Sequence, residues 1–141
     1  MKMLKSFLKI RWLSSLTFLV VLFVITGLVN PEFFTYSNIV ESFNSSVVYT
    51  LLAVGAAFVI MTGEIDVSIG STMGLAAAIA GTLAQHGQSW ALMVLYSVVL
   101  GLLVGLVNGY GVAVLGVPSL IFTLGTTGIV RGLVYVYSGG K

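Results

Sequence analysis

The amino-acid sequence predicts an all-α fold, a polytopic membrane helix bundle with about five transmembrane segments. Hydrophobic residues make up 58% of the 141-residue chain and charged residues only 7%, whereas a soluble domain carries roughly 25% charged residues. The mean hydropathy is +1.12, and uncharged apolar runs separated by short polar stretches recur along the chain. This composition excludes a soluble domain and a disordered chain.

The charged and reactive residues exclude several classes of function. The chain has no Cys, one His and four acidic residues, so it offers no thiolate metal site and no cluster able to hold zinc or to run a Ser/His/Asp mechanism. Four of the six basic residues precede the first apolar run, which indicates a topology signal and not a nucleic-acid surface. We therefore expect neither an enzyme nor a nucleic-acid-binding protein.

The first transmembrane segment is predicted at Leu13–Val29, an uncharged run that is about 26 Å long as a helix. A cleaved signal peptide is the alternative, but the run is long for one and no Ala-x-Ala-like site follows it. By the positive-inside rule, residues 1–12 form a cytoplasmic basic N-terminus. Its positive charges are Lys2, Lys5, Lys9 and Arg11. Residues 30–38 then form an external loop, in which Asn38 can cap the next helix.

The second and third spans are predicted at residues 42–61 and 68–84, with a polar junction between them. This junction, TGEIDVSIGS, places the carboxyl groups of Glu64 and Asp66 among small residues and hydroxyl groups. By the same topology it lies on the cytoplasmic side. The two acids suit an ion or proton site, a solvated loop, or the N-terminus of the third helix, where Asp66 or Ser68 is a suitable cap.

The fourth span is predicted at residues 91–115 and carries a ridge of glycines. Gly101, Gly105 and Gly109 recur every four residues, so each lies about 40° round the helix from the last. Such a ridge favours close packing of another helix, and lining of a substrate path is the alternative. Asn108 is expected to form a hydrogen bond across a helix interface or to line a pore.

The fifth apolar segment, Ser119–Tyr137, follows a break at residues 116–118 that contains a proline. It either crosses the membrane fully or forms a re-entrant element. Thr123 and Thr126 bring hydroxyl groups to it. Its cation, Arg131, is suited to face an anionic substrate, to snorkel towards the external surface or to pair with an acid from another helix.

The junction and the two segments after it carry a family resemblance. The run MTGEIDVSIGS at residues 61–71 resembles the GGIDLSVGS signature of the ribose-type ABC importer permeases. Residues 105–109 (GLVNG) resemble their G..NG helix, residues 117–126 their P.fi.TLGT segment, and residues 129–132 (IVRG) the i.RG that follows. Within the family, the chain most resembles the permeases that import autoinducer-2, with ribose and rhamnose permeases close behind.

The resemblance implies a permease subunit of a bacterial ABC importer that moves a small sugar-like solute, such as autoinducer-2, ribose or rhamnose, across the inner membrane. Its implied partners are a second permease subunit, cytoplasmic ATP-binding subunits and a periplasmic or lipid-anchored solute-binding protein. The partners use the ATP, so no cofactor is expected in this chain. Full-length members have roughly ten spans, so residues 1–141 would be the N-terminal part of a permease domain, as a fragment or a truncated reading frame.

Several residues are candidates for the functional site. The family signature, which caps and anchors the third helix, contains Gly63, Asp66, Ser68 and Gly70. The candidate translocation path contains Asn108, Thr123, Thr126 and Arg131. Glu64 departs from the family, because many members have Gly there, and its role is unassigned. The alternative functions are an ion-coupled carrier or channel with its ion at Asp66 or Glu64, and a membrane fragment without function.

Overall fold

The computed structural model of the chain describes residues 11–140, with the side chains of residues 13–140. In this range the chain folds into five α-helices and no β-strand, which confirms the predicted all-α class. The helices are α1 (Arg11–Val29), α2 (Tyr36–Met61), α3 (Ile69–Gln85), α4 (Trp90–Gly109) and α5 (Ser119–Tyr137). The side chains of the predicted cytoplasmic N-terminus, residues 1–12, lie outside the described part.

Within residues 11–140, three helical segments are long and apolar enough to cross a membrane, namely Tyr36–Met61, Trp90–Val114 and Ser119–Tyr137. The second of these is α4 continued by a π-helical turn, Tyr110–Val114. The apolar helices Leu13–Val29 and Ile69–Gln85 are shorter. Each predicted span therefore corresponds to one helix, and the fifth segment is a single unbroken helix.

The chain divides into two compact units, Met1–Thr50 and Leu51–Lys141. The described part of the first unit contains α1, a 3₁₀ turn (Pro31–Phe34) and the start of α2. The second unit contains the end of α2 together with α3, α4 and α5.

An aromatic cluster holds the turn after α1 in the first unit. Phe23 on α1 packs edge-on against Phe33, with 4.7 Å between the ring centroids, and Phe34 completes the cluster. Gly27 makes room for this turn, because a Cβ atom at that position would overlap the Phe34 ring. The aromatic contacts therefore fix how the chain leaves α1.

α2 begins earlier than the sequence predicted, at Tyr36, so the connection after α1 is shorter than the predicted external loop. Asn38 consequently lies inside α2 and does not cap it, and its Nδ2 donates to the Phe33 carbonyl at 2.8 Å. Asn30 caps the 3₁₀ turn instead, since its side chain accepts from Glu32 N at 3.1 Å. The prediction missed this start because the first turns of α2 are polar and hydropathy does not detect them.

The second unit is built around α3, which packs against both α4 and α5. Its interior is mainly polar. The buried hydrophobic side chains of the described residues are Leu75 and Val130, and the buried polar ones are Ser68, Ser71, Asn108, Ser119, Thr123 and Thr126. Small side chains let the helix backbones approach closely, and hydrogen bonds between helices take the place of an apolar core.

Glycines shape the helix ends beside this polar interior. Gly63, at a φ of 86°, ends α2, and Gly116, at a φ of 68°, follows the π-helical turn, because a residue without Cβ adopts these left-handed angles at little cost. Inside the π-helical turn, Gly111 faces α5, where a Cβ atom would overlap the Phe122 ring. These glycines allow the end of α4 to lie close to α5.

The glycine ridge on α4 is open in the described part of the chain. Gly101, Gly105 and Gly109 are exposed, and a Cβ atom on any of them would have no neighbour within 4 Å. The buried face of α4 runs instead through Asn108, which lies about 100° round the helix from Gly109. None of the described helices covers the ridge, so the expected helix partner stays a prediction.

Candidate functional site

An extended segment, residues 64–67, separates α2 from α3 and lies along the start of α5. There Ser119 Oγ accepts a hydrogen bond from Ile65 N at 3.2 Å, and Thr123 Oγ1 accepts one from Val67 N at 3.2 Å. Because Ser119 and Thr123 are one helical turn apart, both hydroxyl groups lie on the same face of α5. They satisfy backbone N–H groups that would otherwise lack a partner inside the bundle.

This segment lies within the length of the neighbouring helices and not beyond their ends. Its contact on α4, Asn108, is about 9 Å before the end of the helical run at Val114. Asn108 in turn meets Thr126, about 10 Å after the start of α5. The sequence predicted a loop between spans, whereas the structure packs the segment between helices. Irregular backbone at membrane depth is tolerated where protein buries it or where it lines a water-filled cavity.

A chain of hydrogen bonds joins this segment to α4 and α5. Asp66 Oδ1 accepts from Ser68 N at 2.8 Å and from Ser68 Oγ at 2.6 Å. Asn108 Nδ2 donates to Ser68 Oγ at 2.8 Å and to Asp66 Oδ2 at 3.3 Å. Thr126 Oγ1 donates to Asn108 Oδ1 at 2.7 Å. Since Ser68, Asn108 and Thr126 are buried, the network links three elements inside the bundle, and donors surround the Asp66 carboxyl group.

The four signature residues have different parts in this geometry. Asp66 accepts the Ser68 N–H two residues further on, an Asx-turn contact ahead of α3, so it does not itself occupy the capping position, which is Ser68. Ser68 forms no side-chain capping hydrogen bond, because its hydroxyl group donates to Asp66 and accepts from Asn108. Its predicted role as a cap is corrected to that of a network residue. Gly63 ends α2, and Gly70 lies in the first turn of α3 with open space beside its Cα.

A cavity of about 590 Å³ opens beside the extended segment. Its walls are formed by Phe58, Val59, Thr62, Glu64, Ile65, Asp66, Gly105, Asn108, Gly109, Val112, Ala113, Ser119 and Thr123. Mostly apolar walls with a few convergent polar groups are typical of sites for small molecules, which occupy about 300–1,000 Å³. Among the described residues, no group of three or more His, Cys, Asp or Glu side chains is placed to hold a metal ion.

The candidate path residues do not all meet at this cavity. Asn108 and Thr123 line it, and Thr126 contacts Asn108 from the bundle interior. Arg131 is exposed on α5 and does not line the cavity. Ser119 was not predicted as a site residue, although its hydroxyl group, one helical turn before Thr123, was a usable signal.

Residues 38–141 match the family described as branched-chain amino acid transport system, permease component. The chain belongs to this permease family. Membership and the apolar helices together indicate a multi-pass protein of the inner membrane. The family description names a component of a transport system and no enzymatic activity.

Several curated permeases are similar to nearly the whole chain. The autoinducer 2 import system permease protein LsrC of Enterobacter sp. (strain 638) is 38% identical over 138 residues, which are 98% of this chain and 40% of the relative. LsrC of Salmonella typhimurium (strain LT2) is 37% identical over 99% of this chain and 40% of the relative. LsrC of Escherichia coli O9:H4 (strain HS) is 37% identical over 99% of this chain and 41% of the relative. These relatives confirm the predicted resemblance to ribose-type importer permeases.

The chain spans about 40% of the length of the curated relatives it matches. No solved structure matches it closely enough to extend the comparison. The permease family is therefore established by sequence similarity alone.

Proposed function

We propose that the chain forms the N-terminal part of a permease domain in a bacterial ABC importer for a small sugar-like solute, such as autoinducer-2, ribose or rhamnose. The observation that carries this proposal is the extended segment 64–67, held inside the bundle beside a cavity of about 590 Å³. Broken helices that line a cavity at membrane depth are a recurrent way to build solute sites in transporters.

The chemistry of the cavity walls supports a sugar-like solute. Such a molecule presents hydroxyl groups at its edges and C–H groups on its faces. Glu64 and Asp66 offer carboxyl oxygens, and the hydrophobic wall includes the Phe58 ring, which suits C–H faces. The names of the LsrC relatives support autoinducer-2 as the first solute to test.

The energy for transport would come from partners. The sequence contains no Walker motif, and in an ABC importer ATP-binding subunits on the cytoplasmic side drive the permease. A second permease subunit would complete the membrane path, and a periplasmic or lipid-anchored binding protein would deliver the solute. The basic residues ahead of Leu13 support a cytoplasmic N-terminus.

A replacement experiment in cells that lack LsrC but keep the rest of its import system tests the proposal. One strain receives the 141-residue chain and another receives a fusion, in which the chain replaces the LsrC segment aligned with it. We expect the fusion to restore uptake of autoinducer-2. We expect the chain alone to insert and transport nothing, because its exposed glycine ridge and exposed Arg131 require further helices.

The controls are an empty vector and immunodetection of each protein in the membrane fraction. A fusion present at normal abundance that takes up neither autoinducer-2 nor ribose nor rhamnose contradicts the proposed function. Uptake by the chain alone contradicts the assignment as part of a longer permease, because five helices would then form a complete path.

A further inference from the structure

Glu64 and Asp66 line the same cavity but differ in what their carboxyl groups contact. Asp66 accepts hydrogen bonds from Ser68 N, Ser68 Oγ and Asn108 Nδ2. The Glu64 carboxyl group forms no hydrogen bond or ion pair with any residue whose side chain is described, residues 13–140, although Glu64 is only partly exposed. A partly buried carboxyl group gains stability from each hydrogen-bond donor that it finds.

Most of the other polar side chains of the cavity have already used their donors, and the exception is Ser119, whose hydroxyl group is seen only as an acceptor, from Ile65 N. Thr62 Oγ1 donates to the Val59 carbonyl at 2.7 Å, and Thr123 Oγ1 donates to the Ser119 carbonyl at 2.8 Å. The Asn108 amide group donates to Ser68 and Asp66. The cavity therefore presents the free acceptor oxygens of Glu64, and a molecule that fits it must bring its own donors.

We propose that Glu64 binds two adjacent hydroxyl groups of a neutral solute, one at each carboxyl oxygen. The two oxygens of a carboxylate are placed to accept two parallel donors, as they do in other bidentate pairs. Asp66 has a different role, because its hydrogen bonds hold the extended segment in place. This inference rests on the proposed function, because it takes the cavity as the solute site, and it assigns the solute contact to the residue at which this chain departs from the family signature.

Protection of a cysteine in the cavity tests this directly on the 141-residue chain. The chain contains no Cys, so Ala113→Cys places one reactive thiol on the cavity wall. The rate of maleimide labelling is then measured in permeabilised membranes with ribose, with 2,3-dideoxyribose, whose ring forms have no two adjacent hydroxyl groups, and with potassium chloride. This readout needs neither transport nor a binding protein, so its failure is distinct from failure of the uptake experiment.

We expect ribose to slow the labelling about fivefold at a concentration four times its Kd, since the free fraction of the site falls by that factor. 2,3-Dideoxyribose should protect at least about tenfold more weakly, because at least one hydrogen bond to a charged group is lost. Glu64→Gln should remove most of the protection by ribose. The matched control Glu32→Gln, in the turn after α1, should leave it unchanged.

Three results would overturn the proposal. The first is no protection by ribose up to about 100 mM, well above the millimolar range of a weak site. The second is equal protection by ribose and 2,3-dideoxyribose, which would mean that the pair of adjacent hydroxyl groups is not recognised. The third is Glu64-dependent protection by potassium chloride but not by ribose, which would assign Glu64 to a cation.

Discussion

Asn108 Nδ2 donates a hydrogen bond to Ser68 Oγ at 2.8 Å and so ties the start of α3 to α4. The carbonyl oxygen of the same amide accepts from Thr126 on α5 at 2.7 Å. One side chain thus uses both ends of its amide to connect three elements. Its loss would leave Ser68, Asp66 and Thr126 each with one hydrogen-bond partner fewer.

The first prediction is that Asn108→Ala destabilises the chain by about 1–3 kcal/mol, the usual penalty for leaving buried polar groups unsatisfied. The measurement is the thermal denaturation temperature of the purified chain in detergent. Asn44→Ala is the matched control, because Asn44 is exposed on α2 and should tolerate the change. Equal denaturation temperatures for the two variants would show that the network does not stabilise the bundle.

The second prediction concerns the charge of Asp66. Asp66→Asn can still accept from Ser68 N and Ser68 Oγ, but its amide nitrogen would then face Asn108 Nδ2, which is also a donor. We expect the Asn variant of the LsrC fusion to keep part of the uptake. Asp66→Ala should lose more uptake, along with about 1 kcal/mol of local stability, the usual net value of a lost hydrogen bond.

Uptake and membrane abundance of the two variants are measured together. Complete loss of uptake in Asp66→Asn at normal abundance, equal to that in Asp66→Ala, would mean that the charge itself is required. The ion-coupled alternative would then gain support.

The third prediction is that substitutions at two glycines of the fourth span, Gly111 and Gly105, have different effects on stability. Gly111→Ala adds a Cβ atom that would overlap the Phe122 ring. We therefore expect the free energy of unfolding to fall by roughly 1–3 kcal/mol from overpacking. Gly105→Leu meets open space in the described residues, so the isolated chain should keep its denaturation temperature. In the LsrC fusion, however, Gly105→Leu should lower the abundance of the protein, because another helix is expected to pack against the ridge there. Unchanged abundance of that fusion would mean that no further helix packs on the ridge, which would then face the cavity or lipid.

The fourth prediction concerns topology. Tyr36→Cys, at the start of α2, should react with a membrane-impermeant maleimide in intact cells, since Tyr36 is exposed and is predicted to lie outside. Glu64→Cys should react only after the membrane is permeabilised, because the junction is predicted on the cytoplasmic side. Labelling of position 64 but not of position 36 in intact cells would reverse the proposed orientation.

Local features of the amino-acid sequence were enough to predict which parts of this chain are helices. Apolar runs, the break ahead of Ser119 and the glycine at position 63 each act on backbone within a few residues. The signature at residues 61–71 likewise predicted the permease family, because such a motif is a property of neighbouring residues. Boundaries were less certain where polar residues begin a helix, as at Tyr36.

Which polar groups meet depends instead on tertiary packing. The Asn108–Ser68 hydrogen bond joins residues 40 positions apart, and the Ile65–Ser119 bond joins residues 54 positions apart. Both depend on the rotation and depth at which helices pack, which hydropathy and spacing do not encode. For the same reason the sequence grouped Arg131 with Asn108 and Thr123, whereas packing turns Arg131 away from the cavity and leaves Glu64 beside it with its acceptors free.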